Sequence, residues 1–247
     1  MGRVIFIGAG PGAADLITVR GARLLAQADV VLFDALTDPA LRELAPRATW
    51  VNVGKRGFCD STGQTTINAL LARYAAEVDT VVRLKGGDPS VFGRLEEELD
   101  ALARASVPCE VVPGVTAAIA AAAATKRPLT RRGTGRSVSL TTAMTREGEL
   151  HAVRTADTEV FYMAGKQLAA LSRRLLKAGW VGDAPVSVVS RAGWPDQIHS
   201  DHTVATLGRA ALLHAGRPTV VTVGAGAAPT AVDAAQAHMP TRDAIPS

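Results

Sequence analysis

The sequence predicts an α/β protein of two domains, with a mainly parallel sheet in the N-terminal half and a mixed sheet in the C-terminal half. Three observations carry that expectation. Short apolar runs alternate with helical patterns as far as Val112, the pattern of a helix-covered parallel sheet. Beyond that point strand candidates crowd together with one strong helix among them. Two of the early runs also lead straight into glycine-rich loops that contain proline. Glycine allows close backbone approach and positive φ, and proline stiffens the loop and removes a donor.

Taken in order, Val4–Ile7 reads as a buried strand running into Gly8-Ala-Gly10-Pro11-Gly12. Thr18 caps a helix whose apolar positions Val19, Ala22, Leu24, Leu25 and Ala28 keep a helical period. Val30–Phe33 is a second strand ending in Asp34, and Trp50–Val53 a third ending in Gly54, Lys55 and Arg56. A helix over about 65–76 leads to the fourth strand, Thr80–Leu84, and then to Gly86-Gly87-Asp88-Pro89. Another helix, about Leu95–Ala105, precedes a strand at Glu110–Val112. Pro113-Gly114-Val115-Thr116 breaks the alternation and opens an alanine-rich helix. After it come strand candidates at Val138–Thr142, Glu159–Tyr162, Val186–Ser190, His199–Leu207 and Thr219–Val223, with a helix over about Lys166–Ala178. The expected domains are therefore 1–112 and 113–226, followed by a loose tail over 227–247.

Composition narrows the class. With 247 residues, 47% of them hydrophobic, the chain can bury a sizeable core, and with aromatics at 4% alanine, valine and leucine must fill it. No apolar run approaches the roughly 18 residues of a membrane span, so no membrane association is expected. Cys59 and Cys109 show no metal or redox spacing, which fits a reduced, cytoplasmic setting. His151, His199, His202, His214 and His238 show no metal spacing either, and no metal is expected. The net charge is +4, but the arginines are scattered rather than gathered on a stripe with aromatics, so a nucleic-acid partner is not expected. The exception is a cluster at Arg127, Arg131, Arg132 and Arg136. It suits a polyanionic small molecule or, equally, a solvated loop.

Ligands of parallel sheets sit beyond the carboxyl ends of the strands. Gly10, Asp34, Lys55 and Gly87 all fall at such ends. Asp34 and Lys55 form the titratable pair that a cleft could tune, with a surface ion pair or a turn cap as the plain alternative. Gly8-x-Gly10-x-x-Ala13 with Asp34 downstream also satisfies a relaxed dinucleotide fingerprint, which would make the chain a nicotinamide-dependent dehydrogenase. Pro11-Gly12 argues against it, because it stands where the pyrophosphate-binding helix should begin. Met163 reads as core or as a soft contact to a sulfonium or adenine.

In order along the chain, Gly8–Gly12, Ala28–Val31 with Asp34, Val53-Gly-Lys-Arg56, Val82–Pro89 with Phe92-Gly-Arg94, Val112–Ala117, Pro128-Leu-Thr130 and Phe161-Tyr-Met163 closely resemble the motifs of the tetrapyrrole methyltransferases. Within that family the Gly-Lys-Arg and Arg-Leu-Lys-Gly-Gly-Asp-Pro motifs resemble the branch that acts on uroporphyrinogen III. The resemblance spans about Val4–Gly224. It implies the two-domain tetrapyrrole methylase fold, with S-adenosyl-L-methionine in the interdomain cleft, S-adenosyl-L-homocysteine as its product, and a homodimer. It implies cofactor contacts at Pro11, Gly86, Gly87, Asp88, Val91, Thr116, Ala117, Met163 and Ala192. Asp34 would be the proton acceptor and Lys55 the proton donor.

The branch methylates two pyrrole carbons, giving precorrin-2 on the way to sirohaem and cobalamin. An electron-rich pyrrole carbon attacks the methyl group in line, so orientation is the enzyme's main contribution. The cationic ring that results must lose a proton, which gives Asp34 its role. The substrate's carboxylates would meet Arg56, Arg127, Arg131, Arg132 and Arg136. No dinucleotide-binding domain precedes the pattern, so a monofunctional enzyme is expected. Three stretches depart from the branch: Thr130-Arg131-Arg132-Gly133, Thr142-Ala143-Met144 and Gly57–Gly63. All lie where substrate selection is expected. Gly12–Gly21 and Ser137–Thr142 lean toward the precorrin-4 methyltransferases, so a later corrin-ring methyltransferase stays open as an alternative, as does a non-catalytic tetrapyrrole carrier.

Overall fold

The structure, a computed structural model, describes residues 2–54, 63–143, 150, 152 and 154–231. The chain divides into two compact units. One holds the residues through Ala120 together with Arg191–Gln197; the other holds Ala121–Ser190 and the chain from Ile198 onward. The division falls later than Pro113, inside the alanine-rich helix, and returns a short distal segment to the first unit.

The first unit contains β1 (Arg3–Gly8), α1 (Val19–Leu25), β2 (Val30–Phe33), β3 (Thr49–Asn52), α2 (Gln64–Glu77), β4 (Thr80–Lys85), α3 (Leu95–Arg104) and β5 (Cys109–Val112). Its five strands lie in the order β3-β2-β4-β1-β5, every pair parallel. Strand side chains alternate between faces, and both faces of the central strands are covered, so β1 and β2 read as nearly continuous apolar runs, while β4 carries Arg83 and Lys85 among its apolar residues. Val4, Phe6, Val30, Leu32 and Val81 pack with Ile67 and Leu71 of α2 and Leu102 of α3. Ile5, Ile7, Val31, Val82 and Leu84 pack on the opposite face with Leu25 of α1 and Leu41. Thr18 caps α1 as expected, its Oγ1 accepting the Gly21 N–H at 3.1 Å. The helix ends at Leu25, and Ala28 is buried in the turn that follows.

Register and connectivity place the loops. Gly8 of β1 pairs with Lys85 of β4, so both glycine loops leave the sheet at the same level. The connection from β1 to β2 passes over β4, while that from β4 to β5 passes over β1. The chain therefore departs in opposite directions from two adjacent strands, which opens a crevice at their carboxyl ends.

After α4 (Ala117–Ala124), the second unit contains β6 (Val138–Thr142), β7 (Thr158–Tyr162), α5 (Leu168–Lys177), β8 (Pro185–Ser190), β9 (Ile198–Thr203) and β10 (Thr219–Gly224). The strand order is β6-β7-β10-β8-β9, with β6 and β7 parallel and the other pairs antiparallel, which is the expected mixed sheet. Leu168, Leu171 and Leu175 form one stripe of α5 and bury against Phe161, Val186, Val188, Val221 and Val223.

β9 stops short of the expected Leu207. Thr206 Oγ1 takes the Thr203 N–H at 2.9 Å, closing a turn, and Leu207 then enters the core at the start of a 3-10 turn, Leu207–Ala211. The chain is also packed at Ala227, where a loose tail was expected to begin; Ala227 is buried and its carbonyl accepts from Arg127 at 3.0 Å. Residues 232–247 of that tail lie outside the described residues. Among the described residues no helix is long and apolar enough to cross a membrane.

Candidate cofactor and active site

Three loops meet at the carboxyl ends of β1, β4 and β5, and glycine is what lets them meet. Gly10 and Gly87 form a two-bond bridge, Gly10 N–H to Gly87 O at 3.2 Å and Gly87 N–H to Gly10 O at 2.7 Å. Both take positive φ, +80° and +71°. A β-carbon on Gly8 would lie 2.5 Å from Gly114 Cα and 2.8 Å from Gly87 O, so no side chain fits between the three backbones. Asp88 ties the second loop to the third, with Oδ2 accepting the Gly114 N–H at 2.8 Å and Oδ1 the Ser90 N–H at 2.7 Å.

Space opens on the other side of Gly87. A β-carbon there would meet nothing nearer than Thr116 Cα at 3.8 Å, so bare backbone faces room bordered by Val115 and Thr116. Thr116 borders that room, Gly86 and Asp88 flank Gly87 in its loop, and Pro11 follows Gly10 of the bridge. Val91 follows in the turn after Asp88, its N–H bonded to Asp88 O at 3.2 Å, and Ala117 opens α4. The rival dinucleotide reading fails locally. The segment after Gly12 is a 3-10 turn at Ala14–Leu16, and the first α-helix starts only at Val19. No helix N-terminus follows the glycine loop directly, as a pyrophosphate site requires.

The segment Arg191–Gln197 is the part of this site that spacing alone does not reveal. Trp194 Nε1 donates to Pro11 O at 3.0 Å, and the Ala13 N–H donates to Gly193 O at 2.9 Å. Gly12 is correspondingly tight, with Trp194 Cδ1 2.6 Å from where its β-carbon would be. Arg191 lies over the Trp194 ring at 4.2 Å and pairs with Asp196 at 2.7 Å. Ala192 is buried within this brace. The only hint in the sequence is Gly193-Trp194-Pro195, a turn signal after a strand.

Asp34 stands at the end of β2, its side chain about a quarter exposed at 28%. Oδ1 accepts the Leu36 N–H at 3.2 Å and Oδ2 the Gly86 N–H at 3.3 Å, which brings it to the edge of the Gly86-Gly87 loop. Arg83 Nη2 is 3.9 Å from Oδ2. Lys55 and Arg56 lie outside the described residues, as do Cys59, Met144, His151 and most of Gly57–Gly63.

In the second unit Met163 follows β7 with φ +58° and a side chain 55% exposed. A non-glycine residue held at positive φ is a mark of a constrained position. The arginine cluster separates into two kinds. Arg127 is buried and committed: Nη2 donates to Asp201 Oδ2 at 2.7 Å, Nη1 donates to Oδ1, and Nη1 also reaches Ala227 O at 3.0 Å. This corrects its place among the substrate-facing arginines, because its fork is spent on holding β9 and the chain after β10. Arg131 is half-buried, and its guanidinium donates to Ala228 O and, at 3.3 Å, to Pro229 O. Arg132 and Arg136 are exposed, Arg132 on the turn closed by the Arg131–Gly135 bridge.

Two further titratable groups are shifted. Lys85 is pushed below the usual lysine value by burial and by neighbouring Arg83, against the pull of Glu98. His214 is pushed down to about 4 by burial and then by the positive neighbourhood of His202, Arg217 and His199. Among the described residues no group of three or more His, Cys, Asp or Glu could hold a metal ion.

The glycine junction, the brace at Arg191–Gln197 and the placement of Asp34 invite comparison with known proteins. The chain is 44% identical over 195 residues to a uroporphyrinogen-III C-methyltransferase of Pseudomonas aeruginosa, covering 77% of this chain and 80% of that one. It is 44% identical over 202 residues to a siroheme synthase of Hahella chejuensis, of which it spans 43%. The fold matches a uroporphyrin-III C-methyl transferase of Thermus thermophilus, crystallised with S-adenosyl homocysteine, at a TM-score of 0.79 and 35% identity over 90% of this chain and 97% of that one. The family model of the tetrapyrrole (corrin/porphyrin) methylases matches residues 3–208, and it is to that family that the chain belongs.

Proposed function

We propose that the chain is an S-adenosylmethionine-dependent C-methyltransferase that methylates uroporphyrinogen III at two pyrrole carbons to give precorrin-2. The observation that carries this reading is the glycine junction beside Asp34: bare backbone to hold a cofactor, with a carboxylate at its edge. The similarity to the Pseudomonas aeruginosa enzyme over most of both chains supports the substrate. S-adenosylmethionine, when bound, supplies an electrophilic methyl group. The chain's own residues then have distinct tasks. Gly86, Gly87, Asp88, Thr116 and Ala117, with Pro11, Val91, Met163 and Ala192, hold the cofactor. Asp34 takes the proton that the methylated ring must lose, and Lys55 is the proton donor. Arg132 and Arg136, with Arg56 and Arg131, meet substrate carboxylates, where bidentate pairing favours arginine. The working form is a homodimer in the cytoplasm.

The test is anaerobic incubation with uroporphyrinogen III and methyl-labelled S-adenosylmethionine. Label in the tetrapyrrole supports the reading. Binding of the cofactor with no label transferred contradicts it and moves the assignment to a later corrin-ring substrate or to a carrier that turns nothing over.

A further inference from the structure

Beneath Asp34 lies a buried ionic cluster that the methyl-transfer reading does not use. Successive β4 side chains alternate between faces, so Arg83 and Lys85 share one face with Val81 and point into the layer occupied by α2 and α3. There they meet Glu98 of α3, which is fully buried. Glu98 Oε1 accepts from Arg83 Nε at 3.1 Å and from Gln64 Nε2 at 3.2 Å, and Oε2 accepts from Lys85 Nζ at 2.7 Å. Arg83 and Lys85 are each only 4% exposed.

The geometry of Arg83 is directional. Nε is fixed by Glu98, and Nη1 donates to Leu84 O at 3.0 Å and Leu32 O at 3.4 Å. The remaining terminal nitrogen, Nη2, faces Asp34 Oδ2 at 3.9 Å. Glu98 balances only one of the two buried cations, and Asp34 is the second carboxylate of the set. Burying charge is costly, and a hydrophobic layer of the same volume would often serve stability as well or better. A rigid guanidinium can, however, hold one particular carboxylate in one orientation, as a flexible ammonium cannot.

We propose that Glu98 and Arg83 form a positioning relay for Asp34: Glu98 locks the guanidinium, and the guanidinium orients the carboxylate that receives the proton. The inference rests on the reading of Asp34 as proton acceptor. Neither Arg83 nor Glu98 touches substrate in this scheme; both act through Asp34. Lys85 neutralises the second oxygen of Glu98 and keeps its carboxylate from turning away from Arg83.

A double-mutant cycle on the full chain tests it, with turnover, the KM for uroporphyrinogen III and the Kd for S-adenosylhomocysteine as readouts. Arg83→Lys keeps the charge and removes the fork. It should lower kcat by about tenfold or more, with KM and Kd within about twofold. In an Asp34→Asn background the same change should cost less than about twofold further, because the relay then has nothing left to orient. Equal losses in both backgrounds, or a change confined to KM and Kd, would overturn the relay and leave Asp34 in place. Wild-type turnover by Asp34→Asn alone would remove Asp34 from the mechanism and the relay with it. Should Arg83→Lys not fold, Glu98→Gln enters the same cycle with side-chain volume preserved. Loss of folding in both would mark the cluster as a structural prop and overturn the proposal.

Discussion

At the scale of single residues, the site depends on side chains that are missing. Gly8 and Gly87 are both glycine, for different physical reasons, and they should fail differently when changed. Gly8→Ala drives a β-carbon to 2.5 Å from Gly114 Cα, a backbone collision that no rotamer relieves. Gly87→Ala finds room but inherits a φ of +71°. Overpacking of this kind costs about 1–3 kcal/mol, and the left-handed conformation about 1–2 kcal/mol. Both variants should melt lower than wild type, and Gly8→Ala should also lose most of its S-adenosylhomocysteine affinity, because the three loops can no longer close. Calorimetry on the two variants checks this, and wild-type affinity in a folded Gly8→Ala protein would contradict it. Arginines of one sequence cluster take different roles. Arg127 and Arg132 sit five positions apart in one basic loop. Long-range partners, Asp201 and the Ala227 carbonyl, distinguish the buried strut from the exposed cation.

At the scale of elements, the second sheet carries a pH dependence of its own. His214, after the 3-10 turn, is fully buried. Its Nδ1 meets Ser190 Oγ of β8, and its Nε2 meets Ser200 Oγ of β9 at 2.8 Å. His202 and His199 of β9, with Arg217 before β10, supply the positive surroundings. The folded chain holds His214 near 4, whereas the unfolded chain returns it to the ordinary value of about 6.5. Between those values the unfolded state binds the extra proton, so stability is full above about 6.5 and falls as the pH drops toward 4. At about 1.4 kcal/mol per pKa unit, the loss is on the order of 3 kcal/mol. Asp201 titrates in a separate window. Burial opposes its charge, but Arg127 and His199 outweigh burial and hold it below the ordinary carboxylate value, so its contribution persists to lower pH. Melting temperatures from pH 7 to 4 should therefore show a slope that His214→Gln flattens; the same slope in both proteins would rule His214 out as its source. Element boundaries were legible where burial fixed them, as in the apolar runs of β1 and β2. At β9 the expected strand runs to Leu207, whereas the Thr203–Thr206 turn has already ended it.

At the scale of the whole chain, the parallel-then-mixed order of the sheets followed from periodicity, because alternating or continuous burial leaves its mark on every strand. The first glycine loop and Asp34 were legible for the same reason: they punctuate those strands. What spacing could not supply was closure over long distances. Arg191–Gln197 lies far along the chain and yet braces Pro11 through Trp194. The charges on β4 read as part of a loop motif, whereas the pleat turns both of them inward onto Glu98. Such pairings cost a buried charge its hydration and are recovered only in the folded unit, so no local pattern announces them. In the proposed reaction the chain places two methyl groups on uroporphyrinogen III, with Asp34 receiving the proton. The most direct measurement is the product mass after anaerobic incubation with S-adenosylmethionine, for wild type and Asp34→Asn side by side. A doubly methylated product is expected from wild type, with formation slowed by about a hundredfold or more in the variant at nearly unchanged cofactor affinity. An unmethylated tetrapyrrole from wild type, or equal rates from the two proteins, would contradict it.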